Sequence, residues 1–154
     1  GEKVSFRNMV IIATSNAGAP LIKELVAQGT ASDAVRKQVL DDVVKRGLFR
    51  LEFLGRFDGI IFFEPLRDSQ LLQVTDLKLA AFAKRLKEEK DIDILFAPGV
   101  AEKIVERGFE AEFGMRSINR YIENTIEDAV VRRIISGELA PKSSLTVYPE
   151  DLEE

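Results

Sequence analysis

The apolar residues of this chain follow two different rhythms, and the change between them falls near Pro65. Met9 to Ala13 is an unbroken apolar run, preceded by the alternating stretch Val4 to Phe6, and Ile60-Ile61-Phe62-Phe63 is a second unbroken run. Short continuous runs rich in β-branched residues predict strands covered on both faces, as in parallel sheets. The first run closes in the polar turn Thr14-Ser15-Asn16-Ala17-Gly18. The second stops at Pro65, which cannot donate to a strand ladder. Between them a short helix is expected over Leu21 to Ala27. Ser32 is a good cap for a longer helix to about Arg46, with Val35, Val39, Leu40, Val43 and Val44 at helical spacing. Gly47 closes that helix, and Leu48 to Leu54 reads as another short one.

After Pro65 the pattern turns helical. Asp68 or Ser69 is placed to cap a long helix to about Lys90, with Leu72, Leu79, Phe82 and Leu86 on one stripe. Asp91 to Phe96 alternates as a short strand. Pro98 suits the first turn of a helix reaching Glu106, which Gly108 stops. A third long helix is expected from Met115 to Ser136, where Ile118, Ile122, Ile126, Val130 and Ile134 step by four. Gly137 ends it, Leu145 to Tyr148 forms a last strand, and the acidic tail Glu150 to Glu154 is expected to fray. The expected fold class is α/β. Residues 1–65 form an α/β part with two buried strands, and residues 66–154 form a mostly helical part with short strands.

Composition narrows the chemistry more than the fold. With 45% hydrophobic and 31% charged residues the chain is ordinary for a soluble domain. Its formal net charge of -4 comes from acids and bases mixed along the chain. That leaves no broad positive field, so neither nucleic acid nor a membrane surface is an expected partner. Cysteine is absent, which excludes a disulfide framework and fits a cytoplasmic setting. Histidine is absent as well, so Ser-His and Cys-His nucleophile pairs are excluded, and without Cys or His soft-metal sites are not expected. Carboxylate sites for Mg²⁺ stay open.

Three segments, in order, carry a resemblance. They are Val10-Ile11-Ile12-Ala13-Thr14-Ser15-Asn16-Ala17-Gly18, Leu51-Glu52-Phe53-Leu54-Gly55-Arg56 through Leu66, and Gly108-Phe109-Glu110 through Phe113-Gly114-Met115-Arg116-Ser117 to Glu123. Together they resemble the sensor-1 strand, the arginine-finger region and the sensor-2 helix in the second ATPase module of Clp/Hsp100-type AAA+ ATPases. The resemblance covers nearly the whole chain. It implies that residues 1–65 are the C-terminal portion of an AAA+ large subdomain and residues 66–154 the small lid subdomain.

It also implies roles. Asn16 would be sensor 1, orienting an attacking water; read alone, Thr14 to Asn16 is a turn closed by local side-chain to backbone bonds. Arg56 would be the arginine finger, acting on a neighbouring subunit's nucleotide; read alone, it is a surface arginine paired with Glu52 or Asp58. Arg116 would be sensor 2, touching the nucleotide of its own subunit. Arg120, one turn later on the same face, is the alternative.

The chain departs from the family's usual pattern in four places. Leu51 stands where proline is usual, Gly55 replaces asparagine, Met115 replaces alanine, and Ser117 follows the sensor-2 arginine in place of proline.

No glycine in the chain is followed by lysine, so the phosphate-cradling loop of this family is missing. The resemblance therefore implies ATP and Mg²⁺ in a full-length parent and neither bound to this segment, which is expected to be inactive alone. The partners it implies are neighbouring subunits of a homo-oligomeric ring, a hexamer, with unfolded or aggregated proteins as substrates and a proteolytic chamber as a further partner. A second reading makes the chain a non-catalytic, lid-like interaction or adaptor module.

Overall fold

A computed structural model describes residues 9–152, so Val4 to Phe6 lies outside the described residues. The chain divides into two compact units, Gly1–Pro65 and Leu66–Glu154.

The first unit is built on helices α1 (Ala19–Ala27), α2 (Ser32–Lys45) and the single turn α3 (Leu51–Leu54). Its small core is Leu25 with Val35, Val39 and Val43, the i, i+4, i+8 stripe of α2, and Phe49, Leu54 and Phe62 pack against it. The two runs read as buried strands are not strands. Met9 to Ala13 and Ile60 to Phe63 carry no regular secondary structure, and Val10, Ile12, Ile61 and Phe63 are each at least 80% exposed. A strand of that composition needs backbone partners along both edges and cover on both faces. No described residue pairs with either run, and only Phe62 reaches the core. Ser32 is also not the cap. Extended Ala31 holds that position, and the Ser32 hydroxyl donates to Glu64 Oε1 at 2.6 Å.

The second unit holds the larger core. Helix α4 (Asp68–Lys90) buries Leu71, Thr75, Leu79, Phe82 and Leu86. The stripe therefore begins at Leu71, not Leu72, because 71, 75, 79, 82 and 86 are the set that keeps to one face at 3.6 residues per turn. Neither Asp68 nor Ser69 caps it. Arg67 is the extended residue, and Gln70 folds back so that its Oε1 accepts the Arg67 N–H at 2.9 Å. Strands β1 (Asp93–Phe96) and β2 (Ser144–Val147) pair in parallel, Asp93 opposite Ser144 and Phe96 opposite Val147. Lys87 secures the junction of α4 with β1. It donates to Asp93 at 2.9 Å and lies 2.9 Å from Asp91, and these two carboxylates, Asp91 first, hold its ammonium above the ordinary lysine range.

Helix α5 (Val100–Gly108) follows a left-handed Gly99, so Pro98 lies in the preceding turn and not in the helix. The third long helix is interrupted. Helix α6 (Met115–Ile122) passes into one π turn (Glu123–Glu127) and then α7 (Asp128–Ile135). The step-of-four stripe explains the π turn. On a straight α-helix each four-residue step advances about 400°, so the stripe would drift about 40° per step. One wider turn absorbs that drift, and Ile118, Ile122, Ile126 and Val130 all remain buried on the same core. Arg85 on α4 braces the π turn through Glu127 at 2.7 Å. The tail is ordered where it is described, and Glu153 and Glu154 lie outside the described residues. Pro149–Leu152 makes a short 3₁₀ turn, Leu152 is buried, and its carbonyl accepts the Tyr121 hydroxyl at 3.3 Å.

Candidate functional site

The three candidate side chains are all exposed, and each is held by a different local device. Asn16 stands just before α1. The neighbouring Ser15 hydroxyl accepts the Ala17 N–H at 3.0 Å, and the Asn16 carbonyl accepts the Ala19 N–H at 3.1 Å. The local side-chain bond thus belongs to Ser15. Gly18 is required twice over: its φ is 78°, and a Cβ there would lie 2.6 Å from Val39 Cγ1. The turn is therefore pressed directly onto α2, which fixes where Asn16 stands.

Arg56 follows the one-turn helix α3. Its N–H donates to the Phe53 carbonyl at 3.2 Å, and neither Glu52 nor Asp58 pairs with its guanidinium. Arg50, Glu52, Phe53 and Arg56 line one open depression. Phe53 forms its apolar part, stacked on Phe49 at 5.8 Å and met edge-on by Phe57 at 5.1 Å.

Arg116 is the second residue of α6. Gly114 before the helix has φ 56° and ψ -134°, a conformation that side chains oppose. Ser117, which the sequence pattern marked only as a departure, is the latch of this entry. It is buried, its hydroxyl donates to the Gly114 carbonyl at 2.8 Å, and its oxygen accepts the Glu110 N–H at 2.9 Å. One hydroxyl thereby ties the 110–114 turn to the helix that carries Arg116. Ser117→Ala is expected to destabilise the second unit by about 1–2 kcal/mol, since two polar partners lose their bond. A urea titration checks this, with exposed Ser136→Ala as the near-silent control.

The two arginines of α6 differ in what they already touch. The Arg120 guanidinium lies over the Phe113 ring, 4.9 Å from its centre. The Arg116 guanidinium is in no ion pair or ring contact of the described residues. This stack crosses the turn between residues 113 and 120, where periodicity gives no signal. Guanidinium groups are suited to phosphate oxygens, and Arg56 and Arg116 each present one that is exposed. Mg²⁺ is another matter, because no cluster of three or more acidic side chains able to hold a metal occurs among the described residues. No described helix is long and apolar enough to cross a membrane.

Comparison with known proteins sets the class first. Residues 1–60 match the model of the AAA domain, Cdc48 subfamily. Residues 66–147 match the C-terminal, D2-small domain of ClpB protein, and the chain belongs to that family of Clp/Hsp100 chaperones. It is 37% identical over 147 residues to the chaperone protein ClpB of Meiothermus ruber, and 33% identical over 151 residues to the chaperone protein ClpB2, chloroplastic, of Oryza sativa subsp. japonica. It is 35% identical over 144 residues to the ATP-dependent Clp protease ATP-binding subunit ClpC of Staphylococcus saprophyticus. These alignments take in 96%, 96% and 89% of this chain but only 17%, 15% and 17% of the relatives.

Proposed function

We propose that this chain supplies the sensing and trans-acting side of an ATP site in a ring that remodels proteins. In this reading residues 66–154 are the lid and residues 1–65 belong to the large subdomain. ATP with Mg²⁺, when bound in such a ring, supplies the phosphoryl transfer that drives it. Asn16 holds the attacking water at its side-chain amide. Arg56 places its guanidinium against the nucleotide of the adjoining subunit, where arginine stabilises charge that develops during transfer. Arg116 reports nucleotide state from the lid of the same subunit, so that a change there becomes a rotation of the lid. The partners are copies of the same chain in a hexameric ring and unfolded or aggregated proteins in the cytoplasm. A proteolytic chamber is a further candidate partner, suggested by the name of the ClpC relative. With no glycine followed by lysine, the chain alone is expected to turn over no ATP.

The observation that carries this reading is the contrast on α6. Arg116 is exposed and uncommitted, whereas Arg120 is already stacked on Phe113. The test replaces the matching segment of the Meiothermus ruber relative by this chain and measures turnover and nucleotide affinity. Arg116→Ala is expected to weaken nucleotide binding about tenfold or more, the scale of one charge-assisted phosphate contact. Arg120→Ala is expected to change it far less. The reverse ranking would move sensor 2 to Arg120, and no effect from either would remove the lid from the site.

A further inference from the structure

The depression around Arg56 contains a second arginine for which the reading above has no use. We infer that Arg50 and Arg56 act together as a two-pronged receptor for a polyphosphate, with Arg50 the second contact to the nucleotide presented by another copy. This rests on the proposed role of Arg56 and extends it.

Both prongs are fixed to the same turn of backbone. The Arg50 carbonyl accepts the N–H groups of Phe53 and Leu54 at 3.0 and 3.1 Å, and the Arg56 N–H donates to the Phe53 carbonyl at 3.2 Å. Their Cα positions are therefore set by one hydrogen-bonded turn, and loop motion cannot easily separate them. The floor between them is stiff too, because Phe53 is held between Phe49 and Phe57. Both side chains line the same depression, both residues are exposed, and neither guanidinium is in an ion pair with a described residue. Two like charges on one small turn repel one another, and a bound multivalent anion reverses the sign of that interaction. A single carboxylate could satisfy one fork, whereas a chain of phosphates presents oxygens to both at once. Glu52 lies on the same rim without pairing to either arginine, so its carboxylate opposes the anion and weakens the site.

Two experiments test this. In the first, inorganic tripolyphosphate is titrated into the chain while the Nε–H signals of Arg50 and Arg56 are followed by NMR. Both signals are expected to move along one binding curve. Arg50→Ala should weaken the curve seen at Arg56 about tenfold, and Glu52→Gln should tighten it. If the Arg50 signal stays still, or if its removal leaves the Arg56 curve unchanged, Arg50 is not a second prong. If neither signal moves, the depression is not a polyphosphate receptor. In the second, turnover is measured in the chimaeric ring. Arg50→Ala is expected to lower kcat/KM about tenfold, as for the loss of one contact to the nucleotide. Loss of turnover with Arg56→Ala but not with Arg50→Ala overturns this inference alone. Full turnover with Arg56→Ala overturns the reading on which it rests.

Discussion

Replacing Ile118 by alanine is expected to cost the second unit about 3 kcal/mol and to lower its melting temperature by roughly 10–20 °C. Ile118 is 0% exposed and sits where α6 meets the core built by α4 and α5. Truncation removes three carbons from a site whose neighbours are branched, buried side chains, and these cannot collapse fully into the space. Ile135 on the same long helix is the internal comparison. It is 80% exposed, and its replacement by alanine should change stability by no more than about 0.5 kcal/mol. Calorimetry on the two variants separates burial from helix propensity, since both exchanges place alanine in a helix. A similar small loss for both would show that the stripe does not carry the core.

The largest effect is expected at Arg56. In the chimaeric ring, Arg56→Ala should reduce kcat by about 10³ or more, the scale of arginine fingers in nucleotide-hydrolysing enzymes. Lysine should not restore it, because an ammonium cannot reproduce the planar fork. Doping mutant subunits into intact rings gives the sharper measurement. If Arg56 serves the adjoining subunit, a ring mixing Arg56→Ala subunits with subunits unable to bind nucleotide should show turnover only where an intact finger faces an intact pocket. No turnover in such rings, which contain no doubly intact subunit, would place Arg56 in its own subunit's site. Its open setting beside Phe53, with no carboxylate partner among the described residues, leaves the side chain available for such a contact.

The helices were legible because each buries a stripe that the residues announce. Val35, Val39 and Val43 on α2, and Leu79, Phe82 and Leu86 on α4, are where the spacing puts them. Their ends were less legible. Ser32 and Asp68 are good capping residues that became the first helical residue, because the extended conformation fell one position earlier. The runs at Met9 to Ala13 and Ile60 to Phe63 were misread for a different reason. Hydrophobicity states that a segment favours burial, but a strand exists only when another backbone accepts its hydrogen bonds, and the described residues provide none. At the site, the arginines were visible as motif residues. What distinguishes them was not, because the Phe113–Arg120 stack and the Ser117 bonds join residues across a turn whose shape depends on Gly114.

The wider turn at Glu123–Glu127 has a consequence for anyone altering this helix. It acts as a phase shifter, so that residues on either side of it answer to different registers. Deleting one residue within it would let an ordinary coil form and leave Val130 and Ile134 near their present face, because the wider turn already takes up the about 100° of one residue. An insertion or deletion elsewhere along α6 or α7 has no such slack and would swing the residues beyond it about 100° around the axis, away from the core. The helix is therefore far more tolerant of exchanged side chains on its outer face than of a change in its count outside that turn.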